Sequence, residues 1–262
     1  MDVDLKGLRA LVTGSTSGIG RATAKKLAAC GAEVMVNGRS PERVDETVAE
    51  LRSAGGKAGP AVGDLSTAEG CQLVIDQAGE LDILVNNAAW IGFTPAFEIT
   101  DEDWIRSFEV NVLAGVRLTR HYGPLMRDKG WGRIVFISSE SGIQIPTEMI
   151  HYGFSKAADL AVARGFAQAL KGTGVTVNSV LPGPTRTEAL AGYVRGQAER
   201  SGKSEREVEE EFFKNARPTT LLNRFTTPEE IAEVIAFVCS REASAISGAP
   251  IRADGGVVQA IS

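Results

Sequence analysis

RALVTG is followed, after the four residues STSG, by IGRATAKKLAACG, an apolar β-branched strand pattern giving way to an amphipathic helical one that closes at Gly31. The same exchange recurs along the chain. AEVMVNG precedes PERVDETVAELRSAGG, where Ser40 is placed to cap a helix and Pro41 to open it. AGPAVGDL precedes TAEGCQLVIDQAG, and LDILVNNAA precedes a helical stretch from Thr100 to about Asp128. GRIVFISS precedes a long helix from about Ile150 to Lys171, and GVTVNSVLPG is a sixth strand. A helix over 228–240 and a short last strand in GAPIRADGG follow. Such alternation predicts a parallel sheet of about seven strands covered by helices on both faces. Right-handed crossovers make it a single doubly wound α/β domain of the Rossmann type over residues 1–262.

Composition removes several functions. A net charge of −5 argues against a nucleic-acid or anionic-membrane partner. No apolar run is long enough to span a bilayer, and the N-terminus lacks the basic start of a signal peptide. A reduced, cytoplasmic protein is expected. Three scattered cysteines form no CxxC pair, and two histidines cannot build a histidine-rich metal site, so no metal is expected.

TGSTSGIG (residues 13–20) sits where a strand turns into a helix. Gly14, Gly18 and Gly20 permit a tight turn, and Ser15, Thr16, Ser17 and Ile19 complete it. The helix N-terminus offers free N–H groups to a pyrophosphate, so a dinucleotide is implied. The spacing differs from GxGxxG, with three residues between the first two glycines. The second strand ends in VNGRSPE, without the carboxylate that would bind a ribose 2′-hydroxyl. Arg39 and Ser40 stand there instead and suit a 2′-phosphate, which favours NADP over NAD. Asp64, beside Leu65 at the end of the third strand, can accept from an adenine amino group. Asn87, Ala88 and Ala89 end the fourth strand with side chains small enough for close backbone approach.

HYGFSK places Tyr152 and Lys156 one helical turn apart. Alone, the pair reads as an exposed helical contact. Thirteen residues earlier stands Ser139, at the end of a strand whose carboxyl edge is where α/β ligands bind. Lys156 at i+4 can lower the phenol of Tyr152 from about 10 toward neutrality. Ser138 and Ser139 point to opposite faces, so only one can enter the cleft. PGPTRT fixes a turn after the sixth strand, where Pro182, Gly183, Thr185 and Thr187 can meet a nicotinamide amide.

Together TGSTSGIG, NNAA, Asn111, ISSESG, YGFSK and LPGPTRT resemble the short-chain dehydrogenase/reductase family over nearly the whole chain. Ala89 departs from the glycine usual there. The resemblance implies hydride transfer between NAD(P) and a small carbonyl or alcohol. It implies a catalytic set of Asn111, Ser139, Tyr152 and Lys156, with Ser139 chosen over Ser138 and Asn111 holding a water. It also implies a tetramer or dimer packed through the helices at about 101–128 and 151–171. A silent NAD(P)-binding regulator, and an epimerase or dehydratase, are the alternatives.

The region 188–222 breaks the rhythm with a highly charged helical pattern. It is either a solvated insertion or a lid. Trp90, Phe93, Glu140, Gln144, Tyr193 and Phe212 are expected in the substrate pocket wall.

Overall fold

The computed structural model describes residues 3–261. Seven strands form one sheet: β1 (Arg9–Val12), β2 (Glu33–Gly38), β3 (Lys57–Val62), β4 (Ile83–Asn86), β5 (Gly132–Ile137), β6 (Val175–Pro182) and β7 (Pro250–Ala253). Their order is β3-β2-β1-β4-β5-β6-β7, and every pairing is parallel. The order reverses between β1 and β4, where Val12 pairs with Val36 on one side and Val85 on the other. Crevices at such switch points open at the strands' carboxyl ends. Pro250 opens β7, an edge strand, where a missing N–H costs no ladder bond.

One helical layer comprises α1 (Gly18–Ala29), α2 (Pro41–Ser53) and α9 (Pro228–Val238). Leu27, Val48 and Ile235 bury against Val12, Val34 and Val135 of the sheet. The other layer holds α3 (Ala68–Ala78), α5 (Ala114–Lys129) and α6 (Ile150–Ala169). Val74, Leu118, Tyr122 and Ala163 pack there on Leu84, Ile134 and Val177. The strand-rich apolar runs are thus covered on both faces, as a parallel sheet requires.

The expected continuous helix from Thr100 is divided. Thr100 caps α4 (Asp101–Ser107), a π-helical turn spans Phe108–Leu113, and α5 follows. Periodicity could not show this, because a π turn inserts one residue into an otherwise helical pattern. The charged region forms α7 (Glu188–Ser201) and α8 (Glu205–Asn215), which bury Val194 and Phe213 with Phe225 in a small separate cluster. α7 and α8 stand beyond the carboxyl edge of the sheet, after β6. Among the described residues no helix is long and apolar enough to cross a membrane.

Candidate active site

A cleft of about 1460 Å³ runs along the carboxyl edge from Arg39 to Phe212. Its floor is the glycine turn. Gly14 and Gly18 have positive φ, at 60° and 53°, which a side chain would strain. A Cβ on Gly20 would stand 2.4 Å from the Gly14 carbonyl oxygen and from Asn87 Nδ2. The turn is therefore packed directly on the end of β4. Asn87 Nδ2 donates to the carbonyls of Thr13 and Gly14, and the Thr13 hydroxyl accepts from the backbone N–H of Asn87 and Ala88. Asn37 Oδ1 accepts the Gly14 N–H. A rigid turn backed by an α1 N-terminus fits a dinucleotide pyrophosphate.

Thr16, Ser17, Ile19, Gly14 and Gly20 face the cleft, together with Asp64, Leu65, Asn87, Ala88, Ala89, Pro182, Gly183 and Thr187. Two members of the turn do not. Ser15 is fully buried, its hydroxyl accepting from the Asn37 N–H, so it joins β1 to β2. The Gly18 N–H donates at 2.9 Å to Glu188 Oε2, the first residue of α7. Thr185 also lines the cleft, but its hydroxyl is committed to the Gly183 carbonyl and to Thr226. Thr187 caps α7 by accepting from the Leu190 N–H.

At the adenosine end, Arg39 is exposed and has no side-chain partner among the described hydrogen bonds and ion pairs. Ser40 caps α2, as its sequence position implies, and donates to Glu42 at 2.6 Å. Arg43, not expected from the sequence, also lines this end. It lies four residues past Arg39, one turn into a helix that starts at the strand end, a spacing that was available as a signal. Its guanidinium donates to the Thr16 carbonyl at 3.3 Å.

At the other end, Tyr152, Lys156 and Ser139 all line the cleft. Tyr152 and Lys156 lie on the buried face of α6, with the ammonium 5.8 Å from the ring centroid. Lys156 Nζ donates to the Ile137 carbonyl at 2.8 Å and to Asp159 Oδ2 at 3.1 Å. Ser138 donates instead to the Lys156 carbonyl, tying β5 to α6. Ser139 Oγ donates to Glu140 Oε2 at 2.5 Å. Asn111 lies in the π turn. Its Oδ1 accepts from the Trp90 N–H at 2.6 Å, and its Nδ2 donates to the Trp90 carbonyl and to Ser155.

The electrostatics differ from the sequence expectation. Burial raises the Tyr152 pKa above its ordinary value; Lys156 pulls it down, while Glu140 and Asp159 push it up. The expected lowering is absent chiefly because burial outweighs the pull of Lys156; Glu140 and, to a smaller extent, Asp159, which sequence reasoning overlooked, add to it. Burial likewise lifts Asp159 to about 6, against the pull of Lys156. Burial works against the Lys156 charge, yet Asp159 and Tyr152 hold its pKa above the ordinary value. His151 is fully buried between Trp90 and Trp104 with both ring nitrogens unpaired, and burial lowers its pKa. It makes no hydrogen bond to Ser139, so no imidazole stands as a base beside that serine.

Trp90, Phe93, Glu140, Tyr193 and Phe212 line the substrate end, as expected. Gln144 is exposed and lies outside the cleft, because the turn after Glu140–Gly142 carries it outward. Arg217, just past α8, lines the wall and donates to Glu140 Oε1 at 2.9 Å. No local pattern in the sequence singles it out.

A doubly wound sheet with a glycine cradle at one end of its crevice and a buried Tyr–Lys pair at the other has the layout of a nucleotide-dependent oxidoreductase. The family model for short chain dehydrogenase matches residues 9–198. The chain belongs to that family. It is 44% identical to the uncharacterized oxidoreductase YvaG of Bacillus subtilis, covering all of both chains. It is 33% identical to the 3-oxoacyl-[acyl-carrier-protein] reductase FabG of Aquifex aeolicus, over 98% of this chain and all of that one. L-sorbose reductase from Gluconobacter frateurii, solved with NADPH and L-sorbose, superposes with a TM-score of 0.94 at 29% identity, over all of both chains.

Proposed function

We propose that the chain is an NADP(H)-dependent reductase or dehydrogenase that interconverts a carbonyl and a secondary alcohol on a small molecule. When bound, the dinucleotide supplies or takes up the hydride. Tyr152 supplies the proton: its hydroxyl gives it to the substrate oxygen in reduction. Lys156 stabilises the phenolate that remains, from the same helix face. Ser139 donates to the substrate oxygen once its hydroxyl turns from Glu140, and so orients the carbonyl. Asn111 holds the Trp90 backbone and, with Ser155, the back of α6; a water on this carboxamide would link Lys156 to solvent.

NADP is preferred over NAD because Arg39 and Arg43 offer two cations at the ribose end and no carboxylate ends β2. The NADPH carried by the sorbose reductase structure supports the same choice. We take residues 1–262 to act as a single dinucleotide-binding domain, in the cytoplasm. We take it to assemble as a homotetramer or dimer through α5 and α6, whose flanks expose Phe108, Leu125 and Phe154. The segment α7–α8 is proposed as a lid over the substrate end.

One observation carries the reading: Tyr152 and Lys156, buried together, open onto the cleft that the glycine turn floors. The test compares wild type with Tyr152→Phe. NADPH binding, read by nicotinamide fluorescence, should persist in both. Turnover against a panel of ketoses, β-keto esters and simple ketones should fall at least about 100-fold in the variant. Equal turnover in both would refute the assignment.

A further inference from the structure

The proposed reaction uses the ammonium of Lys156 but not the carboxylate behind it. Asp159 Oδ2 stands 3.1 Å from Lys156 Nζ, and both side chains are 3% exposed. Asp159 Oδ1 has no hydrogen-bond partner. Residues 152, 156 and 159 follow one face of α6 at i, i+4 and i+7, so phenol, ammonium and carboxylate stand in a row. Two acceptors, the Ile137 carbonyl and Asp159, hold the ammonium in place.

We propose that Asp159 is a positioning residue that, with the Ile137 carbonyl, fixes the Lys156 ammonium and offsets its charge, so that Tyr152 gives up its proton less readily than it would beside an unshared ammonium. The inference rests on the roles given above to Tyr152 and Lys156. An unshared ammonium at this distance would draw a phenol down by about two pH units at an effective dielectric of ~20. A carboxylate one step farther out returns about one unit. Reduction needs the neutral phenol as acid; alcohol oxidation needs the phenolate as base. Offsetting the ammonium therefore leaves the phenol neutral at neutral pH and moves the onset of alcohol oxidation toward alkaline pH.

Of the other groups facing the pair, the Ser139 hydroxyl favours the phenolate and Glu140 opposes it. Glu140 comes from the turn after β5, and Arg217 takes up part of its charge. Asn111 from the π turn and Ser155 from α6 are neutral, and β5 contributes only the Ile137 carbonyl. His151, on the far side of α6 from Lys156, stays uncharged in its aromatic pocket.

The test is a direct titration of tyrosinate absorbance in the cofactor-free protein. The chain has only three tyrosines. Burial lifts Tyr122 to about 12, and Tyr193 is removed by working in a Tyr193→Phe background. The Tyr152 component is the one lost in Tyr152→Phe. In Asp159→Asn it should titrate about one unit lower, and Asp159→Glu should stay near wild type. The acidic limb of the alcohol-oxidation profile should move by the same amount in Asp159→Asn. A Tyr152 titration that is unmoved, or raised, in a folded Asp159→Asn protein overturns the inference. If that variant does not fold, Asp159→Ser carries the same test. Undiminished turnover in Tyr152→Phe would instead defeat the underlying catalytic assignment, and the absorbance titration separates the two failures.

Discussion

Arg217 Nε donates to Glu140 Oε1 at 2.9 Å, joining the segment after α8 to the residue that accepts the Ser139 hydroxyl. The proposed lid and the serine proposed to orient the substrate are thus linked through one ion pair. Glu140 is 4% exposed, so losing the arginine leaves a buried carboxylate unpaired. Arg217→Ala should lower stability by about 2 kcal/mol, less than a fully buried pair because Arg217 reaches solvent. It should also raise KM by loosening α8, with Arg217→Lys intermediate. Thermal melts and steady-state kinetics read both, and a variant indistinguishable from wild type in each would show the pair to be idle.

The proposed 2′-phosphate contact divides between Arg39, just after β2, and Arg43, in the first turn of α2. Arg39→Ala and Arg43→Ala should each weaken NADPH about tenfold and leave NADH nearly unchanged. Together they should bring the two affinities within about threefold of each other. Fluorescence titrations with both nucleotides decide the matter. Parallel losses for NADH and NADPH would place the arginines elsewhere than on a 2′-phosphate.

Glu188 puts a carboxylate on the Gly18 N–H, at the same α1 N-terminus that fits a pyrophosphate. A bound anion would meet that like charge. Glu188→Gln should therefore tighten NADPH about threefold at low salt, with the gain shrinking as salt rises. Weaker binding in the variant would mean instead that the carboxylate helps build the cofactor-bound form.

Glu230 closes a capping box with Thr227 at the start of α9. Its pKa is lowered to about 2, first by Arg224 and then by the Thr227 backbone. A lowered folded pKa contributes stability that is present above the unfolded value, near 4.5, and lost as pH falls toward 2. Glu230→Gln should then melt earlier than wild type at pH 7, with the gap narrowing between about pH 5 and pH 3. Thr227→Ala should cost about 1 kcal/mol across that range. A gap for Glu230→Gln that widens in acid would contradict the assignment.

The sheet was legible because its signals are local. RALVTG, AEVMVNG and GRIVFISS carry enough β-branched apolar residues to become strands, and Ser40, Thr100 and Thr227 announce helices by capping. The residues that line the cleft were legible where a motif named them, as at Tyr152, Lys156 and Ser139. Orientation was not. Ser15 and Thr185 belong to the right segments, but their hydroxyls serve neighbouring backbone or side chains instead of the cleft. Gln144 sits one turn too far along. Asp159 carried a readable sign: a carboxylate on the inward face of the same helix as the lysine. Arg217 carried none, since its partner lies 77 positions away in the chain.

The π turn gives Asn111 a grip on both backbone groups of Trp90. Beyond that anchor Phe93, which lines the cleft, and Phe97 stand largely in solvent. Selection can therefore exchange exposed side chains such as Phe93 and Phe97 to suit new molecules while the groups proposed to handle the proton keep their places, so that changing what is recognised need not mean rebuilding how it is converted.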